Sequence, residues 1–221
     1  MDNLIPKEIL KRILFFLIVI LILYETTFSN SNGLILEKPR IKLNVDLIDA
    51  FKKRKSTRRF SKKKVSLKDL STILWSANGV NRENGKRTAP TPHGKYFINI
   101  YVVLEKGVYL YNATKHILEF VSAKNVKEKI GYQKFIEPVY CVLVFTADLT
   151  KYPYTFKKET IIPTAHATAG CIAENVYLIT NALGLGTCLV GFINKKEIRK
   201  GLNLKREEIP LYIMPIGIPH N

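Results

Sequence analysis

The densest concentration of groups able to hold an anion is the run RKSTRRF at positions 54–60. In an extended chain successive side chains alternate, so Arg54, Ser56 and Arg58 fall on one side; in a helix Arg54 and Arg58 still share a face. Two planar guanidinium forks with a hydroxyl between them suit a phosphate dianion. The same run, continued by SKKK at 61–64, equally suits a solvated basic turn, and spacing alone leaves both readings open. A second candidate is the polar stretch GVNRENGKRTAPTPHGKYF at 79–97, in which Arg87, Thr88, Thr91 and His93 offer donors and the glycines and prolines permit close backbone approach to a flat ligand. Loops of this length are more often functional than idle, although a plain surface excursion has the same composition. A third is GLGTCLVG at 184–191, whose glycines lack GxGxxG spacing and so exclude a dinucleotide fingerprint. His93 and His166 are the histidines placed for chemistry, but no Ser/His/Asp order or metal-ligand pair surrounds them. No catalytic residue and no metal site are assigned, and Cys141, Cys171 and Cys188, far apart and without CxxC, read as core thiols.

These residues need elements to position them. Leu47, Ile48 and Phe51 form one helical face running into segment 54–60. Ser66, with Asp69 three residues on, caps a helix whose Leu67, Leu70, Ile73, Leu74 and Ala77 recur at helical spacing until Asn78-Gly79 ends it. The run 98–104 predicts a strand, and 107–121 predicts a hairpin turning at 112–115. The run 139–147 has the length and β-branched content of a buried central strand. From 164 to 183 a stretch rich in small residues is apolar nearly all round, which predicts a core helix. Asn194 and Glu197 cap a short helix, and 209–216 closes as a strand. Helices packed on a mixed central sheet make the fold α+β.

Composition sets the outer bounds. At 221 residues and 47% hydrophobic content the chain suits one domain plus a short appendage and excludes wholesale disorder. The balance of 35 Lys+Arg against 18 Asp+Glu, a net +17, calls for anionic partners such as phosphates, nucleic acid or anionic lipid. Aromatic residues do not interleave with the basic clusters, which argues against nucleic acid. At the N-terminus the uninterrupted apolar run 13–24 follows Lys7, Lys11 and Arg12. As a helix it covers roughly 18 Å of a roughly 30 Å hydrocarbon core, which fits a signal peptide or short membrane tether better than a full span. A buried helix opening a cytoplasmic domain is the other reading. The organisation expected is therefore 1–29 as signal peptide or anchor, 30–45 as linker and 46–221 as the domain, exported or membrane-anchored, with the facing side open because basic residues flank both ends of the run.

Taken in order, RKSTRRF, LSTILWSANGVNRENGKRTAPT, GVYLYNATKHILEF, GYQKF, PVYCVLVFTADLTKY, ENVYLITNALGLGTCLVG and PIGIP resemble the FMN-dependent nitroreductase family, and within it the SagB-type branch of azoline dehydrogenases. The resemblance spans about residues 46–219. It implies a nitroreductase fold, an intertwined homodimer and one FMN in each interfacial cleft. Carried over by motif, Arg54, Ser56 and Arg58, with Lys55 beside them, hold the flavin phosphate and ribityl chain. Arg87, Thr88, Pro90 and Thr91 lie along the flavin, usually from the partner subunit, and Leu189, Val190 and Gly191 approach the reactive edge of its ring. The implied activity is an oxidoreductase that takes electrons from NAD(P)H or another donor and passes them through flavin N5 to a small oxidised acceptor of nitroaromatic or quinone type. Azoline oxidation on a peptide follows from the branch, and a flavin- or anion-binding protein without turnover is the alternative from another class. Thr91 stands where relatives carry serine, Pro92-His93-Gly94 replaces small residues and an amide, and Glu174 stands where glutamine is usual.

Overall fold

Long β-branched runs can form central strands when both faces of the sheet are covered, and the computed structural model of this chain is built on three of them. It describes residues 8, 11–17, 33–152 and 157–220. The strands are β1 (Leu34–Ile35), β2 (Ile98–Leu104), β3 (Gly107–Asn112), β4 (Ile117–Ser122), β5 (Cys141–Asp148), β6 (Gly186–Thr187) and β7 (Glu208–Gly217). They join in the order β1-β4-β3-β2-β5-β7-β6. The helices are α1 (Leu47–Lys53), α2 (Leu67–Asn78), α3 (Lys158–Ala182) and α4 (Lys195–Gly201). This is the α+β architecture expected, with one correction: every strand pairing among the described residues is antiparallel, so the sheet within this chain is not mixed. Hairpin connection of β2, β3 and β4 and the return of β7 beside β5 leave no parallel neighbours.

The central strands read as continuous apolar runs because alternate residues enter two separate cores. On β2 and β5, Ile98, Ile100, Val102, Leu143 and Phe145 face one core with α2 and α3. Tyr101, Val103, Val142 and Val144 face the other, with Phe60, Ile198 and Leu202. The predicted caps form: Ser66 Oγ accepts from Asp69 N at 3.0 Å and donates to its carboxylate at 2.6 Å, and Asn194 Oδ1 accepts from Glu197 N at 3.3 Å. The hairpin turn is an Asx turn, Asn112 Oδ1 accepting from Thr114 N and Lys115 N. Gly79 does end α2, but at φ −76°, so its role is spatial: a Cβ there would stand 2.6 Å from the Trp75 ring.

Four expectations shift. The helix predicted from 164 begins at Lys158, with Pro163 inside its second turn. That helix is not covered all round either, since Pro163, His166, Ala167, Gly170 and Cys171 are exposed. Cys171 is consequently no core thiol, whereas Cys141 and Cys188 are buried and burial pushes the Cys141 thiol up to about 12. The linker expected over 30–45 joins the body from Gly33 onward: Leu34 and Ile35 pair with β4, Leu36 is buried, and Arg40 N donates to Thr72 Oγ1 at 3.0 Å. Residues 33–221 form one unit and 1–32 another, in which 11–17 are helical. Most of the apolar run 13–24 lies outside the described residues, and among those described no helix is long and apolar enough to cross a membrane.

One buried charge is tied entirely to neutral donors. Glu208, at the start of β7 and only 5% exposed, accepts from Asn99 Nδ2 at 2.8 Å, Tyr101 Oη at 3.2 Å and Thr146 Oγ1 at 2.5 Å. Together these bonds lock β2, β5 and β7 at one end, and burial beside this carboxylate raises the Tyr101 hydroxyl. Glu208→Ala strands three donors, two of them buried, and is expected to cost about 3 kcal/mol by urea denaturation, whereas Glu208→Gln, which keeps one acceptor, costs about half that.

Candidate functional site

The segment after α1 is extended, as one of its two sequence readings required, and its alternation is visible in its contacts. Arg54 caps α1, its amide donating to Ala50 O at 3.0 Å, and its guanidinium lies 5.2 Å from the centre of the Tyr177 ring. Ser56 Oγ shares a hydrogen bond with Tyr177 Oη at 3.0 Å. Thr57 points the opposite way onto Gly186, where a Cβ would stand 2.7 Å from the threonine side chain. Thr57 N donates to Thr187 O at 2.8 Å, so the segment runs alongside β6. Lys55 and Arg58 are exposed, and among the described residues neither they nor Arg54 forms an ion pair.

Tyr177 also reaches the third candidate segment. Leu189 N donates to Tyr177 Oη at 2.7 Å, so one phenol joins positions 56 and 189. Val190 is buried and exchanges two backbone hydrogen bonds with Ile213 of β7, at 2.9 and 3.0 Å. Gly191 is exposed, and a Cβ there would stand 3.6 Å from the Tyr212 ring. Tyr212 Oη is bonded in turn to His166 Nδ1 at 2.9 Å. His166 is therefore an exposed side chain on α3 that anchors the aromatic ring beside Gly191.

Loop 79–97 is ordered by its own bonds. Val80 pairs with Arg87, Thr88 N donates to Gly79 O at 3.0 Å, Thr91 Oγ1 donates to Lys95 O at 2.6 Å, and His93 adopts a left-handed conformation at φ 52°. Pro90 is exposed and Ala89 buried. None of the hydrogen bonds of Arg87, Thr88 or Thr91 reaches segment 54–58 or 189–191 of the same chain. The Arg87 side chain instead lies over the Tyr96 ring, 4.4 Å from its centre. The structure thus unites two of the three sequence candidates and holds the third apart within one subunit. Tyr177 and Tyr212 were missed; Tyr177 is marked in the sequence only as a phenol in a helix of small and aliphatic residues.

An α+β sheet flanked by one long helix, with unneutralised cations and a glycine-bearing turn gathered at that helix, defines an oxidoreductase of the nitroreductase class. The model of the nitroreductase family matches residues 51–218, and the chain belongs to that family. It is 33% identical over 183 residues to "Putative nitroreductase MJ1384" of Methanocaldococcus jannaschii, covering 78% of this chain and 91% of that one. A crystal structure titled as a "putative nitroreductase" from Ralstonia eutropha JMP134 superposes with a TM-score of 0.82 at 33% identity, over 87% of this chain and 92% of the other. A weaker likeness, 24% identity over 77% of this chain and 55% of its counterpart, is to the trifolitoxin operon protein TfxC of Rhizobium leguminosarum bv. trifolii.

Replacing Tyr177 by Phe leaves the buried ring in place and removes only the junction. The Leu189 amide and Ser56 hydroxyl then lose their shared partner, at a cost of about 1–2 kcal/mol. Hydrogen exchange is expected to accelerate at the Leu189 amide while the β2–β5 amides keep their protection.

Proposed function

We propose that the protein is an FMN-dependent oxidoreductase in which Arg54, Lys55, Ser56 and Arg58 hold the flavin phosphate and ribityl chain and the backbone at 189–191 flanks the ring. The observation that carries this reading is the Tyr177 junction, which brings the arginine–serine segment and the 189–191 turn to one hydroxyl in a chain of the nitroreductase family. The donor set fits the cofactor: guanidiniums without an ion pair among the described residues and a hydroxyl for a phosphate, and an exposed glycine where a flat ring needs close backbone approach. When bound, FMN supplies hydride acceptance and release at N5. Tyr177 positions Ser56 and Leu189, Arg54 and Arg58 offset the negative charge of the phosphate, and Tyr212, tied to His166, walls the turn. Electrons come from NAD(P)H or another donor and go to a small oxidised acceptor of nitroaromatic or quinone type.

The working unit in this reading is a homodimer. Leu47, Ile48 and Phe51 of α1 are 61%, 57% and 51% exposed, an apolar face that the other described residues leave open. The open face of α3 is built of Pro163, Ala167, Gly170 and Cys171, small enough for close approach of another helix. A second copy covers both, and its 87–91 loop, with Arg87, Thr88, Pro90 and Thr91, then completes the cleft that segments 54–58 and 189–191 leave open. Placement in the SagB-type branch is supported by the order of the sequence motifs and by the likeness to TfxC; an azoline-type peptide dehydrogenase is the second reading on that ground. The N-terminal unit serves as signal or tether, so the enzyme works exported or at a membrane.

Purified protein is expected to be yellow, with visible flavin bands displaced from those of free FMN. Arg54→Ala combined with Arg58→Ala releases the flavin and leaves the circular dichroism spectrum unchanged; retention of one flavin per chain by this variant overturns the assignment. In size-exclusion chromatography the wild type elutes as a dimer and Phe51→Glu as a monomer.

A further inference from the structure

Two basic segments flank the first turn of α2, and the acids they carry are already matched. The strap 33–45 is tied to that helix: Ser71 Oγ donates to Glu37 O, Arg40 N donates to Thr72 Oγ1 at 3.0 Å, and Leu36 is buried. Glu37 pairs with Lys68 at 3.6 Å and Asp69 with Arg40 at 3.2 Å. Residues 61–64 lead into the same turn, held by the Ser61 N to Ile218 O bond at 2.9 Å and by Phe60 and Val65, both buried. Lys38, Lys42, Lys62, Lys63 and Lys64 are exposed, and among the described residues none of them forms an ion pair.

The two segments meet at one groove, which Leu34 of β1, Lys62, Lys63, Lys64 and Leu67 line together. The remaining wall carries Lys106 and Lys127 against Glu105, Glu128 and Glu137, so the charge surplus belongs to the α2 end. Aliphatic side chains stand open among these lysines. Ile35 is 86% exposed, and Ile41, between Arg40 and Lys42, is 70% exposed.

Lysines without acids, beside bare aliphatic side chains, suit a partner that offers both anions and an apolar layer. The headgroup region of an anionic bilayer does so, its phosphates meeting the ammonium groups while aliphatic side chains reach the acyl boundary. Nucleic acid offers the charge but nothing for Ile35 and Ile41. The apolar run 13–24 ends nine positions before Gly33, a length of chain that reaches at most about 30 Å, so a bilayer holding that run lies within reach of the strap. At roughly 18 Å as a helix the run is a marginal anchor by itself, and stable attachment takes a second signal such as a basic patch. We propose that the face formed by strap 35–42 and residues 62–64 docks on an anionic lipid surface, with its lysines at the headgroup phosphates and Ile35 and Ile41 at the layer beneath. The proposal deepens the tether reading and uses none of the residues assigned to the flavin.

The whole chain is mixed with vesicles of phosphatidylcholine alone, or of phosphatidylcholine and phosphatidylglycerol at about 3:1, and binding is read by flotation. Each basic residue near an anionic surface strengthens binding about fivefold, so the wild type is expected to favour the anionic vesicles at least a hundredfold in about 0.1 M salt. The preference closes in about 1 M salt. Joint Lys62→Gln, Lys63→Gln and Lys64→Gln lowers the anionic affinity at least tenfold, and Ile41→Ser lowers it at least threefold; all four side chains are exposed, so the fold is kept. Joint Lys134→Gln, Lys195→Gln and Lys196→Gln, equally exposed but outside this face, lowers it less than threefold. Binding to phosphatidylcholine alone reports the apolar run and is the same in both lysine triples; its absence counts against the tether reading and leaves the comparison on anionic vesicles intact. Equal loss in the two triples, no preference for anionic vesicles, unaltered affinity of Ile41→Ser, or equally tight binding to duplex DNA at matched phosphate concentration overturns the proposal.

Discussion

The hydroxyl of Tyr177 is the constraint on which the arrangement of the candidate site depends. It lies 8% exposed on α3, the longest helix among the described residues, and is bonded to Ser56 on one side and the Leu189 amide on the other. Those partners belong to segments separated by 133 positions, which the Thr57 N to Thr187 O bond also brings alongside each other. A phenol is suited to the task because its ring packs in an apolar core while its hydroxyl both donates and accepts. The ring does further duty as the platform under Arg54, so the position of the guanidinium is set by the same side chain.

What holds Tyr177 in place is the sheet beneath it. Strands β2, β5 and β7 are buried on both faces, and Ile172, Ala173 and Val176 of α3 pack into one of the two cores. Glu208 adds a polar lock at one end of these three strands, satisfied by three neutral donors where a salt bridge would be the commoner solution. The basic surplus of the chain is thereby kept outside, on segments such as 54–64, and is free to meet an anion. The faces left open, the apolar side of α1 and the small-residue side of α3, are those on which a second chain completes the site in the reading proposed.

Much of the architecture was legible residue by residue. Ser66 with Asp69, Asn194 with Glu197 and the Asn112 turn are local interactions within three residues, and sequence spacing specifies them directly. The alternation that sends Arg54 and Ser56 one way and Thr57 the other is likewise a property of an extended backbone. Two-residue strands such as β1 and β6 were not visible, because they exist only through pairing with β4 and β7 and have no periodicity of their own. The start of α3 was placed six residues late, since the polar Lys158–Glu159 turn and Pro163 carry no apolar period.

From the sequence alone came the identity of the groups and their local geometry: which segments carry guanidiniums, which runs become strands and helices, and where the caps fall. Short-range sterics and hydrogen bonding decide these within a few residues. Only the tertiary structure decided that all sheet pairings among the described residues are antiparallel, that Cys171 and His166 face outward, that one tyrosine joins two distant segments, and that the Arg87 guanidinium lies over the Tyr96 ring. Each of those is a contact between residues far apart in the chain, fixed by how the two cores close and invisible to any pattern read along it.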